Sequence, residues 1–114
     1  MAKKLDFNAL ERPVLELTLK DDAKTVVRAE IPTEELVERL QSAASEMQKV
    51  INDETGVLVK ACFDLAAELI NCNADGLVFT AEDLRDKYKM KLYDLTVFFK
   101  VYLDFIQEVS NAKN

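Results

Sequence analysis

The apolar residues of this chain change their spacing once, and that change restricts the fold to a short sheet followed by helices. Leu15, Leu17 and Leu19 alternate with Glu16, Thr18 and Lys20. Such a period of two puts one face of a strand into a core and the other into water. The run Lys20-Asp21-Asp22-Ala23-Lys24 is a turn. Beyond it Val27, Ala29 and Ile31 alternate with Val26, Arg28 and Glu30. Pro32 ends the second strand, because proline has no N–H to give to a ladder.

From Thr33 the spacing becomes three and four. Thr33 caps a helix whose first turn carries Glu34 and Glu35, the sign of charge that a helix N-terminus favours. Leu36, Val37, Leu40, Ala44, Met47, Val50 and Ile51 then form one stripe reaching about Asn52,. Asp53-Glu54-Thr55-Gly56 interrupts it. A second helix covers about 57–70, with Leu58, Cys62, Leu65, Ala66, Leu69 and Ile70 inward. The polar loop Asn71-Cys72-Asn73-Ala74-Asp75-Gly76 follows, and then Thr80 and Asp83 form a near capping box for a short helix over about 81–90,. The last helix spans about 92–110. The pattern predicts an α+β fold: an N-terminal β-hairpin followed by a bundle of about four α-helices. All 114 residues form one domain, with a leader arm (1–12), a hairpin (13–32) and a helical region (33–110). Leu5, Phe7 and Leu10 give the leader the means to dock on the body.

A two-stranded hairpin has two unpaired edges and is marginal alone. Helices can cover its leucine face, but the edges call for charge, the leader or another subunit. Self-association through the hairpin edge is therefore one expected partner mode.

Several chemistries are excluded. The chain has no His, which removes Ser-His-Asp and Cys-His catalysis and all His-ligated metal sites,. Its two glycines build neither a phosphate-cradling loop nor a dinucleotide fingerprint,. Cys62 and Cys72 form no CxxC pair; ten residues apart on one helix they would be separated by about 15 Å, too far for a bridge. They read as free thiols of a reducing cytoplasm. The net charge of −6 disfavours nucleic acid and anionic lipid,. The single basic cluster, Arg85, Lys87, Lys89 and Lys91, reads as a solvated face. No apolar run approaches the ~20 residues of a membrane span, and residues 1–6 carry no apolar signal core. The residues predict no enzyme, no catalytic or metal-ligating set and no cofactor.

Asn71, Asn73, Asp75, Gly76 and Glu82 fall on the spacing of a calcium-binding helix–loop–helix, with Asn71 standing where a carboxylate is expected,. The same residues also serve to end one helix and start the next. The acidic pairs Asp21/Asp22, Asp53/Glu54 and Glu82/Asp83 lie at turns and helix starts, where acidic side chains serve solvation and capping.

In the last helix Leu92, Leu95, Phe99, Tyr102, Leu103, Ile106 and Val109 form a stripe, which Phe98 and Phe105 widen to roughly 160° at 100° per residue. That width suits either a central core helix or a partner-binding flank. The partner-binding set under the second reading is Phe98, Phe99, Tyr102, Phe105 and Ile106.

The leader Leu5-Asp6-Phe7-Asn8-Ala9-Leu10, the hairpin from Val14 to Ile31 and the helix start Ile31-Pro32-Thr33-Glu34-Glu35-Leu36 have a familiar order. With Thr80-Ala81-Glu82-Asp83-Leu84, Leu92-Tyr93-Asp94-Leu95 and Phe98-Phe99…Tyr102…Phe105-Ile106, it resembles the tail assembly chaperones of long-tailed bacteriophages and prophages of Gram-positive bacteria. The turn Asp21-Asp22-Ala23 departs from the family's glycine-bearing turn. The resemblance implies a non-enzymatic cytoplasmic protein that coats the tape-measure protein, keeps it soluble and helps recruit tail-tube subunits. Two other classes suit the same residues: a calcium-binding helix–loop–helix module and a ring-forming structural phage adaptor.

Overall fold

A computed structural model of the protein describes residues 2–6 and 12–111. The elements are β1 (Leu15–Thr18), β2 (Val26–Ala29), α1 (Glu34–Ser45), α2 (Met47–Asn52), α3 (Val57–Ile70), a π-helical turn (Asp83–Lys87) and α4 (Leu92–Asn111). The α+β architecture expected from the change of period is present: an antiparallel hairpin, then helices. β1 and β2 pair with Leu17 opposite Val27 and Leu15 opposite Ala29. Leu19, Val27 and Ala29 are buried, while Glu16, Thr18 and Arg28 face water. The turn has no glycine, and Lys24 takes the left-handed position with φ 52°. Asp21 holds it closed, its carboxylate accepting from the Thr25 N–H at 2.8 Å and from the Thr25 hydroxyl.

The single helix expected to about Asn52 is two helices. Glu46 leaves helical geometry (φ −102°, ψ 13°) between α1 and α2. Both the Ser45 hydroxyl and the Glu46 N–H donate to the Ser42 carbonyl, each at 3.0 Å. Serine back-bonding of this kind bends helices. Met47 and Val50 still face the core after the break.

α3 has the predicted bounds. Gly56 precedes it with φ 79°, a conformation that costs glycine no Cβ clash,. Asp53 supplies the cap, its Oδ2 accepting from the Leu58 N–H at 3.0 Å. Phe63 and Ala67 join the expected inward residues, so α3 is buried around most of its circumference. Leu58, expected inward, is 39% exposed because it sits in the first turn, at the edge of a groove between α1–α2 and α3.

The short helix expected over 81–90 begins as α-helix and widens into one π turn, in which the Tyr88 N–H reaches the Asp83 carbonyl, five residues back, at 3.0 Å,. The capping box forms reciprocally: Thr80 N–H donates to Asp83 Oδ2 at 3.2 Å, and Asp83 N–H to Thr80 Oγ1 at 3.0 Å. Leu84 and Tyr88 point inward, and Phe79 meets Tyr88 edge-on at 5.6 Å.

One apolar cluster takes side chains from the hairpin, every helix and the π turn. α4 packs on both α1 and α3. In the leader, Leu5 is exposed; the docking expected of Phe7 and Leu10 concerns residues outside the described ones. Among the described residues no helix is long and apolar enough to cross a membrane.

Candidate protein-binding surface

The five aromatic and aliphatic residues proposed as partner anchors do not lie together on the surface. Phe99 and Tyr102 are fully buried and Phe98 nearly so, while Phe105 and Ile106 are half-buried against the same core. Phe98 packs on Phe99 and Tyr102 at 5.8 and 5.5 Å between ring centroids, and Tyr102 on Phe105 at 6.2 Å. The cause is the position of α4. A helix covered by two neighbours needs a wider apolar arc than one lying on a single surface. The roughly 160° stripe supplies it. The Tyr102 hydroxyl donates to the Glu30 carbonyl, tying the helix to the end of β2. Burial pushes the Tyr102 phenol far above its ordinary value.

The apolar side chains left exposed on α4 belong to a different line: Tyr93, Val97 and Val101, four residues apart. Their signal in the sequence was an apolar i, i+4, i+8 series next to the core stripe and in excess of it. Val97 and Val101, with Phe98 and Ile70, form the apolar wall of a groove of about 260 Å³ beside β1. Glu16 to Lys20 form its other wall. At one end Lys20 Nζ lies 2.7 Å from Asp94 Oδ2.

A second, larger groove of about 420 Å³ runs between α1–α2 and α3. Ala43, Val50, Leu58, Ala61, Cys62 and Leu65 line it, and Glu38 and Glu46 stand at its rim. Arg39 also lies at this rim and bonds Glu68 across the helices at 2.6 Å, which raises the guanidinium pKa. The exposed side chains of Ile51 and Val57 flank the α2–α3 turn beside it. The sequence does not mark these residues as a surface, because groove positions share the helical stripe with core positions.

The calcium-loop spacing has a structural use. Asn71 donates to the Phe79 carbonyl at 2.9 Å and accepts from the Phe79 N–H at 2.7 Å. Asn73 donates to the carbonyls of Ile70 and Leu77 and accepts from the N–H groups of Asp75 and Leu77. Asp75 takes both Arg28 Nε, at 3.1 Å, and the guanidinium NH2. Those bonds from Arg28 hold the Asp75 carboxyl below its ordinary value. The side chains at the first three ligand positions are thus engaged in folding the loop and fastening it to β2. The loop backbone completes the join: Glu30 N–H bonds the Cys72 carbonyl at 2.7 Å and Ala74 N–H bonds the Arg28 carbonyl at 2.9 Å.

Of the acidic pairs, Asp21 closes the hairpin turn, Asp53 caps α3 and Asp83 closes the capping box. Asp21 and Asp53 are lowered by the hydrogen bonds they accept, chiefly from Thr25 and from the Leu58 N–H. Cys62 is buried and Cys72 half-buried, both as free thiols, and burial raises both. A raised thiol pKa reduces the thiolate fraction on which cysteine reactivity depends. Arg85 of the basic cluster lies over the Phe63 ring, 5.0 Å from its centroid. Among the described residues no group of three or more His, Cys, Asp or Glu is placed to hold a metal ion.

No protein-family model matches the chain, and neither a curated protein nor a solved structure is significantly similar to it.

Proposed function

We propose that this protein is a non-enzymatic assembly factor of the tail-assembly-chaperone kind. It acts in the bacterial cytoplasm, binding an apolar helical segment of the tape-measure protein and keeping that long chain soluble. The observation that carries the reading is the groove between α1–α2 and α3, with its apolar floor and the acidic rim of Glu38 and Glu46. An amphipathic helix binds such a groove through anchors at i, i+3, i+4 and i+7. The rim favours basic flanks on the incoming helix. The net charge of −6 supplies the solubility that a coat for an aggregation-prone chain needs,. Recruitment of tail-tube subunits is a later step under the same reading.

The test is co-expression with a tape-measure protein, followed by affinity capture and light scattering. Ala61→Arg is the informative variant: Ala61 is exposed and lines the groove, so a long side chain there fills the groove without entering the core. The expected result is a soluble complex with the native chain and a precipitated partner with Ala61→Arg, at an unchanged melting temperature. No association with the native chain, or equal association with the variant, refutes the proposal.

A further inference from the structure

The two edges of the hairpin differ. The outer edge of β2 is closed by the 72–74 loop through Glu30 N–H, the Arg28 carbonyl and the bridge between Ala29 and Asn73. Beside the outer edge of β1 no strand or loop is paired among the described residues. Leu19 N–H bonds the Thr25 carbonyl across the hairpin at 2.8 Å. Antiparallel alternation therefore turns the main-chain groups of Leu15 and Leu17 toward β2 and those of Glu16 and Thr18 outward. This open edge adjoins the smaller groove, whose far wall holds Val97 and Val101, 44% and 42% exposed.

We propose that β1 pairs antiparallel with β1 of a second copy of this chain, about a two-fold axis at Thr18, making a four-stranded sheet across a dimer. The charges select this register. With Thr18 opposite its own equivalent, Glu16 of each copy faces Lys20 of the other, twice per dimer. A shift by one hydrogen-bonded pair toward the C-terminus sets Glu16 against Asp22, and a shift of two toward the N-terminus sets Glu16 against itself. Like charges directly opposite one another are destabilising. On the water-facing side the row becomes Arg28, Glu16 and then Lys20 of the second copy, alternating in sign. Lys20 keeps its bond to Asp94 and remains half exposed, leaving protons for the new carboxylate.

The apolar face agrees with the edge. Val97 and Val101 line the groove that adjoins β1, so a second copy seated on this edge lies over that groove and covers them. Because β1 is the one open edge among the described residues, the association closes at two copies, as an isologous contact does,. The inference is independent of the partner reading, since the α1–α3 groove shares no lining residue with this edge.

Sedimentation equilibrium of the full chain at roughly 100 µM, far above a micromolar Kd, tests it. The native chain is expected to be a dimer. Glu16→Lys alone and Lys20→Glu alone each place like charges in both pairs and are expected to be monomers with cooperative melts. Mixed one to one, they restore both opposite-charge pairs and are expected to form a heterodimer. Thr18→Pro, which removes an outward N–H and leaves the β1–β2 bonds in place, is a second route to the monomer. A monomeric native chain, a ring or larger assembly, or a dimer that persists in both charge variants overturns the proposal.

Discussion

Replacing Asn73 by alanine tests whether the 71–80 loop is a structural latch. The amide makes four hydrogen bonds, donating to Ile70 O at 2.9 Å and Leu77 O at 2.8 Å and accepting from Asp75 N at 3.1 Å and Leu77 N at 2.9 Å. A net contribution of about 0.5–1.5 kcal/mol each, reduced because the loop is only partly buried, gives a loss of about 2–4 kcal/mol. Unfolding entropy scales with chain length, and at 114 residues each kcal/mol moves the midpoint by roughly 4 °C. The expected fall is therefore roughly 8–16 °C, read by circular dichroism. The Glu30 and Ala74 amides, which bond across the joint between loop and β2, should also lose protection from hydrogen exchange,. A fall of less than about 2 °C would refute the latch. So would a midpoint that rises when calcium is added to the native chain, because Asn71, Asn73 and Asp75 would then have to leave their present partners.

Two further outcomes follow from the core and from the titrating groups. Phe99→Ala, at a fully buried ring, should cost about 3–5 kcal/mol in urea unfolding, whereas Phe105→Ala, half-buried, should cost roughly 1–2 kcal/mol; equal costs would mean that α4 is rotated from the described packing. Asp21, Asp53 and Asp75 have folded pKa values below their ordinary 3.8, so the stability they confer is present above that pH and is lost as the pH falls through the lowered values,. Cys62 and Cys72, raised from 9.0, and Tyr102, raised from 10.0, act in the opposite direction, so stability declines as pH rises above about 9,. A melting temperature measured across pH should show a plateau with an acid and an alkaline limb, and Asp75→Asn should flatten the acid limb; an unaltered acid limb in that variant would mean that the Arg28–Asp75 pair contributes no stability.

The hairpin, α3 and the capping box at Thr80 were legible because each is encoded locally. Alternation over 15–19 and 27–31, the break at 53–56 and the Thr80–Asp83 spacing act through neighbours a few residues apart. The same locality explains two departures. The bend at Glu46 comes from Ser45 bonding back to Ser42, and the π turn at 83–87 comes from one shifted hydrogen bond. Neither alters the apolar periodicity from which helices are recognised.

The candidate surface was not legible in this way, since burial is a property of two elements at once. The stripe Phe98, Phe99, Tyr102, Phe105 and Ile106 was visible in the sequence, but its direction was not. α4 lies against both α1 and α3, which buries Phe98, Phe99 and Tyr102 and leaves Tyr93, Val97 and Val101 facing water. In the 71–82 segment, residue spacing alone matched both a calcium loop and a pair of helix ends. Contacts across 47 residues, from Asp75 to Arg28, and across 72 residues, from Tyr102 to Glu30, decided which side chains were already engaged. The sequence by itself determined the kinds of element, their order, the acidic charge and the absence of histidine chemistry, because those depend on composition and short-range spacing. Only the tertiary structure decided which strand edge the 72–74 loop closes and which apolar stripe of α4 stays outside, because each depends on the segment, distant in sequence, that packs against it.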